Sequence, residues 1–112
     1  MRGAGALRHL VAFDAPVRVP DGSGGFDRTW SDGAPMKAEL RYDRGAEASQ
    51  AGRLTGTAVF KVRVRSSAAA RAVTADHRMR DLRSSAAYQV REVDAETDRQ
   101  WVWIGVEGGV AV

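Results

Sequence analysis

Apolar and charged residues alternate strictly from Phe60 to Arg65 in the segment 57–65, which reads T-A-V-F-K-V-R-V-R. Successive side chains of an extended chain point to opposite faces, so this pattern predicts a strand with one apolar and one basic face. Valine and phenylalanine suit a pleated, half-buried surface. The segment is predicted to be the central strand of an antiparallel sheet, with three cations on its outer face: Lys61, Arg63 and Arg65.

The same alternation recurs elsewhere and supplies sheet partners for this strand. Residues 36–42 read M-K-A-E-L-R-Y, and the outward Glu39 is expected to pair with a cation of the central strand. Residues 86–107 alternate on both sides of an acidic turn at 94–98 and are predicted to form a hairpin. The remaining predicted elements are strands at 7–13 and 78–80 and a short helix or connector within 66–73.

A glycine-rich turn, D-G-S-G-G at 21–25, lies between two extended segments. Pro16 and Pro20 precede it, and proline cannot donate a ladder hydrogen bond, so this piece is predicted to be a sheet edge or an extended connector. Glycine adopts positive φ without steric cost, so residues 16–30 are predicted to form a β-hairpin with a glycine-rich tip. The turn lacks the G-K-[ST] ending of a phosphate-binding loop, so no phosphate site is predicted there.

The segment Asp43–Gly56 interrupts the alternation with glycine, alanine and polar residues, and Leu54 is its only large aliphatic side chain. Hairpin connections usually have about 2–5 residues, so this connection is long. Long loops in compact domains usually carry function or are disordered. We therefore regard this segment as the irregular stretch that is most informative about function.

The length of 112 residues predicts a single domain spanning residues 1–112. The alternation pattern predicts that this domain is all-β, with antiparallel strands and at most a short helix. The chain has no cysteine, which excludes disulfides and thiolate metal sites. No apolar run approaches the roughly 18 residues that span a bilayer, and residues 1–10 lack the apolar core of a signal peptide. A cytosol-like compartment and no membrane partner are therefore expected.

Charge is unevenly distributed along the chain. The region Arg53–Arg91 holds nine basic groups, and its only acidic groups are Asp76 and Asp81. A basic stripe of this kind can meet phosphates or an acidic protein surface. A solvated sheet face explains it equally well.

Two tryptophans, Trp101 and Trp103, lie opposite the aliphatic face of the last predicted strand. If the aliphatic face fills the core, both indoles point outward and are typical of a protein interface. They are also suited to stacking single-stranded bases. The remaining alternative is a strand that is buried on both sides.

Catalytic and metal-binding patterns are absent from the sequence. Asp76 and His77 are adjacent, so their side chains point apart on a strand, and no third ligand lies at a usual spacing. The chain shows no nucleophile–base pair and no paired acids in the context of a cleft. Neither an enzyme nor a bound metal or cofactor is predicted.

The order of short motifs resembles the phage head–tail joining family, the head-closure or stopper proteins of tailed phages. Similar chains also occur in phage-derived gene transfer agents. The sequence departs from the family pattern in a serine- and alanine-rich segment at 81–87 and in the tryptophan-rich last strand. The motifs that carry the resemblance are G-A-G-A-L-R-H-L-V-A-F at 3–13, D-G-S-G-G-F-D-R-T-W at 21–30, A-E-L-R at 38–41, V-R-V-R at 62–65, H-R-M-R at 77–80 and Y-Q-V-R-E-V at 88–93.

The resemblance implies a small antiparallel β-barrel of about six to seven strands with a long inter-strand loop. Such subunits form a homo-oligomeric ring, a hexamer or a dodecamer, below the portal and its adaptor in the virion neck. The ring retains packaged double-stranded DNA and offers a platform to the tail terminator or tail tube protein. Assembly in the bacterial cytoplasm and the absence of catalytic residues are implied as well.

The family's channel loop maps onto Asp43–Gly56 of this sequence, and its residues include Asp43, Arg44, Glu47, Gln50, Arg53 and Leu54. A ring subunit must also pair two different surfaces in a contact that closes by rotation. The expected contacts with an adjacent subunit or the adaptor ring are Lys61, Arg63, Arg65, Trp101 and Trp103.

Two alternatives remain beside the neck ring. One is a monomeric nucleic-acid-binding barrel that uses the basic face and both tryptophans, with affinity that falls steeply as salt rises. The other is a different neck or tail ring, such as a tail terminator.

Overall fold

The computed structural model describes residues 7–45 and 58–108, except for the side chains of 43–45, and the predicted all-β fold is confirmed there. No helix in these ranges is long and apolar enough to cross a membrane. The described elements are β1 (His9–Pro20), β2 (Phe26–Ser31), β3 (Met36–Gly45), β4 (Ala58–Arg65), α1 (Ala68–Arg71), β5 (Arg78–Asp81), β6 (Ala87–Asp94) and β7 (Trp101–Gly108).

Six of the strands close into an antiparallel barrel. Each is hydrogen-bonded to two neighbours in the order β1-β3-β4-β7-β6-β5, and β5 pairs back onto β1. Closure satisfies backbone groups that an open sheet would leave unpaired at its edges. Strands β1 and β7 lie on opposite sides of the barrel, because two strands separate them in either direction around it.

Antiparallel pairing also determines which connections share an end of the barrel. Strands β1, β4 and β6 run in one direction, and β3, β5 and β7 run in the other. We call the end at which β1, β4 and β6 finish the upper end. It carries the β1–β2 hairpin, helix α1 and the acidic β6–β7 turn. Strand β3 ends and β4 begins at the opposite, lower end.

The β1–β2 hairpin extends beyond the barrel, and we call residues 15–31 the arm. The first part of β1 pairs with β3 and β5, whereas Ala15–Pro20 pair with β2 alone. The predicted end of this strand at Phe13 is therefore wrong, since the strand continues through Pro16 and Pro20. Both prolines are tolerated because this part of the strand has a free edge, where no ladder donor is required.

The glycine-rich tip of the arm is stabilised by Asp21. Its Oδ1 accepts hydrogen bonds from the backbone N–H groups of Ser23 (2.8 Å) and Gly25 (3.1 Å). Gly22 and Gly24 have φ values of +84° and +89°, which side chains rarely tolerate. The positive φ values and the Asp21 hydrogen bonds thus account for the D-G-S-G-G motif.

The barrel interior is filled by the aliphatic faces that alternation predicts. The central strand β4 lies between β3 and β7, and its Val62 and Val64 are fully buried. Helix α1 covers the upper end with buried Ala70, and its N-cap is Ser67, whose Oγ accepts the Ala70 N–H at 3.0 Å. The other fully buried apolar side chains are Val11, Ala12, Ala38, Met79, Val90, Val102, Ile104 and Val106.

A buried carboxylate joins the arm to the barrel. Asp14 is 0% exposed, and its Oδ2 accepts hydrogen bonds from Nε of Arg78 (2.8 Å) and of Arg80 (2.9 Å). Its Oδ1 accepts from Gly33 N (2.9 Å) and Arg80 Nη2 (3.1 Å). A Cβ on Gly33 would lie 2.1 Å from the Phe13 carbonyl oxygen, so only glycine allows this approach. We call Asp14, Gly33, Arg78 and Arg80 the Asp14 cluster.

The Asp14 cluster predicts acid sensitivity. Burial raises the pKa of Asp14, but the hydrogen bonds from Arg80, Gly33 and Arg78 outweigh burial and lower this pKa from 3.8 to about 2. Because the folded pKa lies below the unfolded value, the stabilisation is complete above about pH 4 and is lost as pH falls through about 2. We expect this group to account for a loss of about 2 kcal/mol in unfolding free energy over that range, measured by urea unfolding.

The matched variant is Asp14→Asn, which keeps the shape of the side chain but cannot ionise. It should be about 2–4 kcal/mol less stable at pH 7, because two arginines lose their buried partner. It should also lack the acid-dependent step. An acid profile with the same slope in both proteins would contradict the role assigned to Asp14.

Candidate interaction surfaces

The outer face of β4 differs from the predicted row of three free cations. Arg65 is exposed and the Lys61 side chain is 43% exposed, but Arg63 is only 4% exposed. Arg63 thus lies on the outer face, as predicted, but neighbouring side chains cover it, so it is not the exposed cation that was predicted. Two of the three predicted contact cations remain accessible on this face.

Arg63 is buried by its neighbours on both sides of the strand. In the β3–β4 ladder it lies directly opposite Glu39, and the two form an ion pair with Nε and Oε1 3.1 Å apart. Its guanidinium carbon lies 3.8 Å from the ring centre of Trp101 and 6.0 Å from that of Trp103. The predicted pairing of Glu39 with a cation of β4 is confirmed. A planar guanidinium suits stacking on indole and ion pairing together.

The two tryptophans are neither fully outward-pointing nor fully buried, the two alternatives that the sequence left open. Trp101 and Trp103 are both half-buried. The ring of Trp101 packs against Arg63 and also lies 5.0 Å from the guanidinium of Arg65. Because guanidinium groups already occupy this ring, it is a poor platform for stacking nucleic-acid bases. Because Trp101 and Trp103 are partly exposed, their ring edges can still contact another protein.

A groove of about 540 Å³ opens beside Trp103. It crosses β3, β4, β7 and β6 and reaches the acidic turn between β6 and β7. Lys61 and Glu92 form an ion pair at 3.3 Å. Hydrogen bonds from the backbone and side chain of Thr97 and from the backbone of Glu96 lower the pKa of Asp94. The charged side chains that line the groove are Arg41, Lys61, Glu92, Asp94 and Asp98.

The arm carries a second surface, which the sequence analysis did not identify. Cross-strand register places Arg18, Phe26, Arg28 and Trp30 on one side of the hairpin, and we call this side the aromatic face. The Arg18 guanidinium lies 4.4 Å from the Phe26 ring centre, and that of Arg28 lies 4.7 Å from the ring of Trp30. The sequence signal for this face was the spacing of Phe26, Arg28 and Trp30 at alternate positions.

Both faces of the arm expose apolar side chains. Phe26 is 57% exposed on the aromatic face, and Val17 and Val19 are 39% and 40% exposed on the other. A two-stranded ribbon is only marginally stable in water without packing on a third element. The exposed apolar surface thus indicates a protein contact.

The predicted channel loop is shorter than expected at its start. Strand β3 continues to Gly45, which pairs with Ala58, so Asp43 and Arg44 belong to a strand rather than to a loop. The other predicted loop residues lie outside the described part of the chain: Glu47, Gln50, Arg53 and Leu54. Because Gly45 and Ala58 are paired, the segment 46–57 starts and ends at the same place on the lower end.

A closed barrel with a projecting arm and charged, partly aromatic outer surfaces defines a small protein-contact domain. The sequence profile of the phage head completion protein family matches residues 2–107, so the chain belongs to that family. The family is one of structural phage proteins, and membership makes this chain a virion component that associates with other virion proteins.

Solved structures agree with this assignment. A chain from the virion of a native gene transfer agent particle is 26% identical, with a TM-score of 0.69 over 95% of this chain and 97% of that one. Protein SF1141 from Shigella flexneri 2a is 16% identical, with a TM-score of 0.72 over 99% and 100% of the two chains, and this likeness shows the fold alone. The comparison with curated proteins finds no match.

Substitution can separate the structural role of Arg63 from the surface role of Arg65. Arg63→Ala should lower the unfolding free energy by about 2–4 kcal/mol, because it removes the closer of the two ion pairs of Glu39 and the closer of the two guanidinium groups on Trp101. Arg65→Ala should cost less than about 1 kcal/mol, as exposed cations usually do. Chemical denaturation of the two variants measures the difference, and equal small losses would contradict the structural role of Arg63.

Proposed function

We propose that this chain is the head-closure subunit of a phage or gene transfer agent. Copies form a ring between the portal–adaptor assembly and the tail, retain packaged double-stranded DNA and provide the platform for tail attachment. The observation that carries the proposal is the family match over residues 2–107. The gene transfer agent chain, which is similar over nearly its whole length, supports it.

The barrel gives such a ring subunit two different ends. The lower end holds the segment 46–57 between paired strand residues, and in the proposal this segment reaches into the channel with Glu47, Gln50, Arg53 and Leu54. The upper end holds the arm and the acidic turn. A subunit with distinct ends is suited to a position between two different neighbours, the head side and the tail side.

Lateral and adaptor contacts of the proposed ring use accessible side chains of the outer barrel face. We assign Lys61, Arg65, Trp101 and Trp103 to contacts with the adjacent subunit or the adaptor. Arg63 acts within the subunit, because its side chain is 5% exposed and ion-paired with Glu39. No observation favours the nucleic-acid-binding alternative, since arginines already stack on Trp101.

Native mass measurement tests the ring directly. We expect the purified chain to join its cognate portal–adaptor assembly as a closed ring, with a mass increase of six or twelve subunits. A chain that ignores the adaptor and binds single-stranded DNA, with affinity that falls steeply as salt rises, would overturn the proposal. Binding to the tail tube in place of the adaptor would also overturn it, in favour of a tail terminator.

Shortening the lower-end segment tests DNA retention separately from assembly. Replacing residues 47–54 by a Gly-Ser pair should leave the barrel folded, because loop closure entropy changes only slowly with loop length. The ring should still form on the adaptor, but packaged particles should lose DNA. The comparison variant keeps the loop length and carries Glu47→Ala and Gln50→Ala. Undiminished DNA retention in the shortened variant, measured by nuclease protection, would contradict the channel role.

A further inference from the structure

The arm presents positive charge together with exposed aromatic surface. No carboxylate among the described residues lies within ion-pair distance of Arg18 or Arg28. Arg18 and Arg28 lie directly opposite each other across the hairpin, and Phe26, which is 57% exposed, lies on the same face nearer the tip. The aromatic face is therefore complementary to a surface that is acidic and can accept an aromatic ring.

A surface with an acidic border exists on the same chain. Its lining also includes Arg41 and Lys61, and Lys61 is already paired with Glu92. The groove beside Trp103 is bordered by the acidic turn, where Asp94, Glu96 and Asp98 alternate along the sequence. Asp94 and Asp98 each use one carboxylate oxygen to accept backbone N–H groups of the turn, and carboxylates retain further acceptor sites. Its volume of about 540 Å³ lies within the size range of protein pockets that enclose whole ligands.

The topology prevents a chain from filling its own groove. The arm continues from β1, whereas the groove is centred on β7 and its neighbours β4 and β6, and β1 and β7 lie on opposite sides of the barrel. Both surfaces belong to the upper end, because β1 and β6 run in the same direction. A contact between them joins two copies side by side at one level of their barrels, as a closed ring requires.

We infer that the aromatic face of the arm docks into the acidic groove of a second copy of this chain. Arg18 and Arg28 face the carboxylates of the acidic turn, and Phe26 packs beside Trp103 and Val93. The contact is heterologous: each copy uses its arm on one neighbouring subunit and its groove on the other. This inference rests on the proposed ring and names the surfaces that close it.

Crosslinking tests the contact directly, since the chain has no cysteine of its own. The variant Ser23→Cys/Thr97→Cys places one thiol at the arm tip and one in the groove. Under mild oxidation of rings assembled on the adaptor, we expect covalent oligomers up to the full ring. The matched control, Ser23→Cys/Arg71→Cys, places the second thiol on helix α1 and should give at least tenfold less crosslinking.

Charge reversal tests the chemistry of the same contact. Adding Arg18→Glu/Arg28→Glu to the Ser23→Cys/Thr97→Cys chain should lower its crosslinking at least tenfold. Adding Glu96→Lys/Asp98→Lys to this charge-reversed chain should restore most of the crosslinking. Arg8→Glu/Arg71→Glu changes the net charge equally, away from both surfaces, and should have no effect. Circular dichroism of each variant verifies that the barrel is folded.

The outcomes separate the contact from the ring. Rings that form on the adaptor without crosslinking of the Ser23→Cys/Thr97→Cys chain overturn the arm-to-groove contact and leave the proposed function intact. Covalent products that stop at a dimer indicate two-fold pairing and also overturn it. If no ring forms on the adaptor, the proposed function fails, and the inference fails with it.

Discussion

The buried carboxylate of Asp14 is the interaction on which the shape of the molecule depends. It accepts hydrogen bonds from two arginines of β5 and from Gly33 in the β2–β3 connection. These contacts coincide with the point at which β1 leaves the barrel and pairs with β2 alone. Burying a carboxylate is costly unless it is paired and hydrogen-bonded, and here charged donors compensate for that cost. These hydrogen bonds fix the base of the arm against the barrel and thereby define the direction in which the arm extends.

A second buried ion pair stabilises the barrel wall at β3 and β4. Arg63 and Glu39 bind each other across β3 and β4, and Trp101 covers the guanidinium. The basic stripe seen in the sequence therefore contains two kinds of cation. Arg63 stabilises the barrel wall, whereas Lys61 and Arg65 remain accessible to a partner.

These features fit a small structural protein of a phage-type particle. The family match and the similarity to a gene transfer agent chain agree with a barrel that has different connections at its two ends. The arm continues from β1, and the groove is centred on β7, on the opposite side of the barrel.

The sequence by itself determined the strands, the all-β class, the glycine-rich turn and the family resemblance, because alternation and turn chemistry act between near neighbours. It also indicated that Glu39 would meet a cation of β4. Only the tertiary structure decided that β1 pairs with β5, that β1 continues through two prolines into the arm, that β3 extends through Asp43 and Arg44, and that Arg63 is buried. The partners Asp14 and Arg78 are 64 positions apart, and such pairing depends on closure of the whole barrel. Local alternation does not specify which distant strands pair or in what register. These contacts are therefore defined only in the folded barrel.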